Sequence, residues 1–413
     1  MCYTNKKIIW GQVMIVDCWA NETENYITNP VMIEFCRDNN IRSQIIRRDL
    51  LKAINDFSVS SEENKNKVAD WLEIIMKQGI KNVLFKEINI PSEIIMKLKK
   101  NASNILLEKF PECVNRKLYS HITRGTKINL QSINMEKREN NIKKIGFTFT
   151  IYLYELKNEV RNKIIYPIFV DIDLDSNIII GRAKSKSNIF RVNSKDENEI
   201  GNKTTTDQLI RECIVFVEEK IGAKEINKEK YIYDVKKSIY KILEKYTFTP
   251  EIIKEKIDSL DDYIDKFINN TLEKLEVNKA LNFDKAKEDI KIFVEKYISI
   301  NVEDKDIFIN DREAYPYKLV ATDSEFTKVE ETTTSFEPLQ CKEKFFDNKK
   351  SIKYEGACDG IFLIYARKDR GYFSNNTYKV KISTKKDFCC VRFESYVTEE
   401  DINNVLSSII EFK

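Results

Sequence analysis

Three aspartates alternate along one stretch of the chain, Asp171, Asp173 and Asp175. On an extended strand, side chains two positions apart share a face, so the three carboxylates point the same way. Such a set can hold a divalent cation, and metal-assisted phosphodiester cleavage or phosphoryl transfer is the chemistry it would serve. Without a cation, neighbouring carboxylates repel and raise one another's pKa. Lysines or arginines on an adjacent strand would relieve that repulsion, and charges there also protect a strand edge from aggregation. No Glu-x-Lys follows on the next strand to complete a nuclease core. A metal centre would therefore draw on carboxylates far along the chain, with Asp359 and Glu355 as candidates.

The basic residues offer a different chemistry. Gly181-Arg182-Ala183-Lys184-Ser185-Lys186 is followed by Arg191. On a strand, Arg182, Lys184 and Lys186 stand on one face about 7 Å apart, near the phosphate spacing of a nucleic-acid strand. If Ser176-Asn177 is a two-residue turn, Asp171 lies opposite Arg182 and the two pair, leaving Lys184 and Lys186 unmatched. A second group is Arg116-Lys117 with Tyr119, His121, Arg124 and Lys127. Basic residues around an aromatic, in an irregular segment, suit a loop that tracks a backbone and stacks a base. Gly125 permits a tight turn beside a phosphate.

Several classes are excluded by what the chain lacks. Its one histidine, His121, is read as structural, and a zinc or iron centre built on several imidazoles is ruled out. No Cys-x-x-Cys spacing occurs among the 9 cysteines, which fits thiols acting as small apolar residues in a reducing compartment. Cys389 and Cys390 are neighbours on an expected strand and point to opposite faces. With 10 glycines and no glycine-rich phosphate loop, the usual nucleotide enzymes are not expected, and no metal or cofactor is assigned. Asp261-Asp262-Tyr263-Ile264-Asp265 resembles the diphosphate-binding helix of prenyl-transfer enzymes over five residues. No second aspartate-rich helix accompanies it, so this stretch is read as a solvated acidic face.

These groups need elements to position them. Phe147, Phe149, Ile151 and Leu153 alternate with Thr148, Thr150, Tyr152 and Tyr154, and Ile168, Val170, Ile172 and Leu174 alternate with Phe169, Asp171, Asp173 and Asp175. Both patterns predict strands, with Ile178 to Lys184 as the return. Ile8 to Trp19 and Val83 to Ile88 are further strands. Helices are expected over 42–57, from a capping box at Ser60 and Glu63 to Gly79, and from Pro91 to about Phe110. Residues 113–140 read as irregular, and Asn193 to Lys203 as a linker. Beyond it the period turns helical. Ile210, Ile214, Val217 and Ile221 stop at Gly222, and Ile232 to Tyr246 follow. Thr249-Pro250 restarts a helix whose stripe runs Ile253, Ile257, Leu260, Ile264, Phe267, and Ile290, Phe293 and Tyr297 continue it. Strands return at Ile361 to Ala366, Tyr378 to Ile382 and Cys389 to Phe393, before a last helix, Asp401 to Phe412.

The expected architecture is α+β. An N-terminal α+β domain with an antiparallel sheet covers 1–195, a helical module 205–300 and a smaller α+β unit 301–413. The chain has 413 residues, 33% of them charged, and a formal net charge of +3 that hides an asymmetry. Residues 101–200 carry 17 Lys and Arg against 12 Asp and Glu, whereas 251–350 carry 17 against 24. No apolar run spans a membrane, and Met1 to Trp10 has no signal-peptide pattern.

Together these features point to a cytoplasmic nucleic-acid-binding protein without catalysis of its own. The expected contacts are Arg116, Lys117, Arg124, Lys127, Arg182, Lys184, Lys186 and Arg191, with DNA and RNA both open. Residues 205–300 are the expected surface for a protein partner or self-association. Lys-, Asn- and Ile-rich usage suggests an AT-rich genome, of a bacterium or its phage, with antiviral defence as one context. Two alternatives stay open: a divalent-metal nuclease or phosphotransferase centred on Asp171 and Asp173, and a scaffold acting through the helical module.

Overall fold

The computed structural model describes residues 26–412, apart from 43, 114–124, 139–140, 194–195, 197, 323–327, 334–335 and 369–374. The strand expected over Ile8 to Trp19 lies outside the described residues, as do Arg116, Lys117, Tyr119, His121 and Arg124. The chain is α+β, with eleven helices and twelve strands among the described residues. Two compact units divide it, each containing both kinds of element.

The first unit comprises the described parts of Met1–Lys228, Asp369–Asn376 and Cys390–Ile402. Its helices are α1 (Asn29–Asp38), α2 (Arg47–Ser60), α3 (Glu62–Lys77), α4 (Ser92–Lys109) and α5 (Thr206–Ile221). Its strands are β1 (Lys81–Glu87), β2 (Asn129–Arg138), β3 (Asn141–Lys157), β4 (Val160–Asp173), β5 (Ile178–Lys184), β6 (Ile189–Val192) and β7 (Ile200–Thr204). They pair antiparallel in the order β7-β6-β3-β4-β5-β1. β4 pairs along one edge of β3; β2 and β6 share the other, β2 against Asn141 to Thr150 and β6 against Leu153 to Glu155. Asn158 and Glu159 join β3 to β4, both at positive φ (50° and 64°), as a two-residue turn that keeps the strands' twist requires.

Helices cover both faces of β4. On one side Ile165 and Phe169 pack with Leu50, Ile54, Val68 and Leu72 of α2 and α3. On the other, Phe110 packs at a tilt against Phe147, and Phe216 of α5 meets Phe149 edge to face, at centroid distances of 5.0 and 5.8 Å. Double burial explains the nearly continuous apolar run of β4, more than the alternation read from Ile168, Val170 and Ile172. Gly181 of β5 lets α5 come close, since a Cβ there would lie 2.3 Å from Ile210 Cγ2.

Local departures from expectation have local causes. Residues 129–138 form β2 rather than loop, with Gln131 and Ser132 buried beside β3. The hydroxyl of Ser61, not Ser60, caps α3 by accepting from the Asn64 amide. Asn193 to Lys203 contains most of β7. Thr249 donates to Glu295 instead of capping, and Pro250 is the boundary residue.

The second unit comprises the described parts of Glu229–Lys368, Thr377–Cys389 and Asn403–Lys413. It holds α6 (Lys228–Tyr246), α7 (Glu251–Asp258), α8 (Asp261–Lys274), α9 (Lys279–Asn301) and α10 (Glu343–Glu355). Strands β8 (Ala314–Thr322), β9 (Lys328–Thr332), β10 (Gly360–Ala366) and β11 (Thr377–Lys385) pair antiparallel in the order β9-β8-β10-β11. β12 (Phe388–Phe393) and α11 (Glu399–Glu411) contribute residues to both units. The stripe expected from Ile253 to Phe267 breaks at Ser259-Leu260. Ile253 and Ile257 pack with Phe308, Ile264, Ile268 and Leu272 with Phe283, and Phe267 turns outward.

Candidate nucleic-acid interface

The β4–β5 hairpin closes through a longer turn than two residues, and Asp173 pairs with Ile178. The register therefore shifts by two from the sequence expectation, so Arg182 faces Phe169 and Asp171 faces Ile180. A shift of two keeps every side chain on its face. Arg182 consequently reaches Asp171 diagonally, with Nη2 2.6 Å from Oδ2. Its Nη1 donates to Glu399 in the first turn of α11. Lys77, at the end of α3, places Nζ 2.9 Å from the other Asp171 oxygen. Opposite Asp171 in register stands Gly146, where a Cβ would sit 2.8 Å from Oδ1.

This network is buried. The Asp171 and Arg182 side chains are 1% and 3% exposed. Burial alone pushes the Asp171 pKa up, but Lys77, Arg182 and Lys144 outweigh it and hold the carboxyl well below its usual range. Burial likewise disfavours the Arg182 charge, and Asp171 and Glu399 more than restore it. Lys81 is also buried and donates to the Met76 carbonyl at 2.6 Å. Its burial, then Lys184 and Arg182, pull its pKa well below the ordinary lysine value, with Glu399 acting in the opposite sense.

The other predicted basic residues have partners of their own. Lys184 lies over the Tyr26 ring, 4.6 Å from the centroid. Lys186 reaches Glu155 Oε2 at 2.8 Å with its side chain 6% exposed. Arg191 Nη2 contacts both carboxylate oxygens of Glu212 at 2.6 Å. Lys127 is exposed. The structure thus sets Arg182, Lys184, Lys186 and Arg191 in separate pairings rather than one open row.

Each aspartate of the alternating set is engaged separately. Asp173 Oδ1 accepts from the Asp175 and Ser176 amides, closing the turn, and Asp175 pairs with Lys99 at 2.6 Å. Among the described residues no three His, Cys, Asp or Glu side chains converge as a metal site. Asp261 and Asp265 each hold a lysine of α9, Lys291 and Lys287, at 2.7 Å, which makes that acidic stretch a helix-pairing device. Asp359 pairs with Lys236 at 2.7 Å.

Pairing also assembles a group not anticipated from sequence. Lys163 of β4 faces Tyr154 of β3, which faces Phe190 of β6, which faces Lys203 of β7. Residues in register share a face, so the row reads Lys-Tyr-Phe-Lys across four strands. Lys163 and Lys203 are exposed, Phe190 is half-buried and Tyr154 is buried. Next along that face, Lys163 lies over the Tyr152 ring at 4.9 Å. The Tyr152 amide donates to the carbonyl of Gly125, two residues before Lys127. Lys127, Lys157, Arg161 and Lys203 are exposed and have no carboxylate within ion-pair distance among the described residues. Tyr152 and Tyr154 on the polar side of β3 were the visible signal; Phe190 and Lys203 fell in a segment with no strand pattern of its own.

Compared with known proteins, the chain matches no family model, no curated protein and no solved structure. Among the described residues no helix is long and apolar enough to cross a membrane.

Proposed function

We propose that this chain is a cytoplasmic protein that binds nucleic acid through the outer end of the β4-β3-β6-β7 face and catalyses no reaction there. The row Lys163, Tyr154, Phe190, Lys203 carries the reading. It spans three interstrand steps of about 4.8 Å, with an exposed cation at either end and buried Tyr154 and half-buried Phe190 between. Polynucleotides present the complementary pattern, charged phosphates around flat bases. Lys127, Lys157 and Arg161 add cations to the same unit. The cytoplasmic assignment is supported by the thiols, since no disulfide joins the described cysteines, as in a reducing compartment.

Fluorescence anisotropy with labelled single-stranded and duplex DNA and RNA tests this reading. Binding that weakens steeply between about 50 and 200 mM salt, with the probe intact afterwards, is expected. No binding at the lower salt would end it.

A second reading, association with a protein partner through 205–300, draws on the helices of the second unit. Tyr263 and Phe267 of α8 and Phe293 and Tyr297 of α9 are 72, 61, 58 and 57% exposed. Exposed aromatics in such number mark interaction surfaces. Sedimentation equilibrium of wild type against Tyr263→Ser/Phe267→Ser addresses self-association: an oligomer that the double variant dissociates supports it, and a monomeric wild type removes it.

A further inference from the structure

We infer that the β3–β4 hairpin is a reading element for B-form DNA, laid in the major groove of a duplex. The inference rests on the nucleic-acid reading above and names the form of ligand that the same end of the sheet takes. β3 and β4 stay paired out to Lys157 and Val160. Their neighbouring strands stop sooner: β2 pairs as far as Thr150, β6 as far as Glu155 and β5 as far as Ile168. On the β3 side the Leu156 amide still reaches the Asn188 carbonyl. Beyond that point the hairpin continues as a two-stranded ribbon, and every residue from Lys157 to Lys163 is exposed.

The side chains of the ribbon suit base edges. Among the described residues, Lys157 and Arg161 have no carboxylate within ion-pair distance, and the side-chain amides of Asn158 and Asn162 have no partner. Arg161 shares a face with Tyr154 and Lys163, so it stands one strand repeat, about 7 Å, beyond the row described above. Lys203 at the far end of that row can hold a phosphate while Arg161 reaches further in. In the major groove arginine bonds guanine and asparagine bonds adenine, each through two hydrogen bonds. Glu159 in the turn is repelled by phosphates, but a cytosine amine in the groove can donate to it. An acidic polypeptide would satisfy the two cations and leave Glu159 facing like charge.

Width selects the groove. The two strands lie about 4.8 Å apart, and their side chains widen the ribbon beyond the roughly 6 Å minor groove, whereas the major groove, about 12 Å wide, admits it. The major groove of an A-form RNA helix is too deep and narrow to be read this way, and a single strand has no groove.

The test uses the full-length chain with a fluorescein-labelled DNA duplex of mixed sequence, about 20 base pairs or two helical turns. The RNA duplex and the DNA single strand of the same sequence are the comparisons. Wild type is expected to bind the DNA duplex at least about fivefold more tightly than the RNA duplex at one salt concentration. Arg161→Gln/Asn162→Ala, both exposed changes, should weaken DNA-duplex binding at least about fivefold and leave single-strand binding as in wild type. Equal affinity for the two duplexes, or DNA-duplex binding that the double variant leaves unchanged, overturns the inference. Binding of single strands with both duplexes ignored also overturns it, and leaves the nucleic-acid reading standing. No binding of any nucleic acid at low salt ends both. Should the variant unfold by circular dichroism, footprinting of the wild-type complex decides. Guanine N7 faces the major groove, so its protection from dimethyl sulfate supports the ribbon, and a bound duplex without that protection refutes it.

Discussion

Arg182 and Asp171 meet diagonally across β4 and β5, 2.6 Å apart and almost wholly buried, although the pairing register places neither opposite the other. The pair expected from sequence therefore forms by another geometry. Arg182 also bonds Glu399, 217 residues further along, so one guanidinium joins the central strands to the start of α11. An isolated buried charge is costly, and two carboxylate partners make this one tolerable.

Removing one member should expose that cost. Asp171→Ala is expected to destabilise the first unit by about 3–5 kcal/mol, because Arg182 and Lys77 lose their shared anion. Urea unfolding followed by circular dichroism measures it. A loss under about 1 kcal/mol would mean the network relaxes freely, as exposed pairs do.

The same carboxylate sets an acid limb. Its folded pKa is depressed, so its contribution is fully present above the unfolded value near 3.9 and is lost as pH falls toward the folded value. Wild type should lose stability between about pH 5 and 3 more steeply than Asp171→Asn. Parallel curves for the two proteins would place the acid sensitivity elsewhere.

Lys81 also makes stability rise with pH, but over the alkaline range and as a cost at neutral pH. Its folded pKa lies below the unfolded one, so the folded state resists protonation and wild type gains stability as pH rises toward about 10.4. Lys81→Met should be at least as stable as wild type at pH 7, with its advantage shrinking by pH 10. The groups facing Lys81 are Lys184, Arg182 and Glu399, and only Glu399 favours its charge. A Met variant that loses stability equally at both pH values would show that the bond to the Met76 carbonyl dominates.

Close packing of α5 on β5 gives another test. Gly181→Ala places a methyl 2.3 Å from Ile210 Cγ2 and 2.9 Å from Ile214 Cδ1. Overpacking of this kind should cost about 1–3 kcal/mol, readable as a lower urea midpoint. The further change Ile210→Ala removes the Cγ2 carbon that the new methyl meets, so Gly181→Ala should cost less in that background. No recovery would assign the cost to the backbone.

The strands with strong apolar alternation were legible, because burial on one face dictates every second residue. β5 runs from Ile178 to Lys184 as read, and β3 contains the whole Phe147 to Tyr154 pattern. β2 was not legible, since it buries Gln131 and Ser132 where alternation calls for apolar residues. β6 and β7 are too short to show a period, and their pairing supplies half of the aromatic-and-basic row. The α7–α8 break was hidden because Leu260 and Phe267 continue the spacing while pointing outward. Which lysines pair with which carboxylates depends on contacts far apart in sequence, as between Lys77 and Asp171 or Arg182 and Glu399. Composition counts charges and cannot say which of them are already matched.

The row across β4, β3, β6 and β7 is the central claim, and one comparison tests it. Anisotropy of a labelled oligonucleotide with wild type and with Lys163→Glu/Lys203→Glu should reveal weaker binding and a flatter salt dependence in the variant, by a slope of about 1.4 to 1.8 for two phosphate contacts. Superimposable binding curves for the two proteins at both salt concentrations would contradict it.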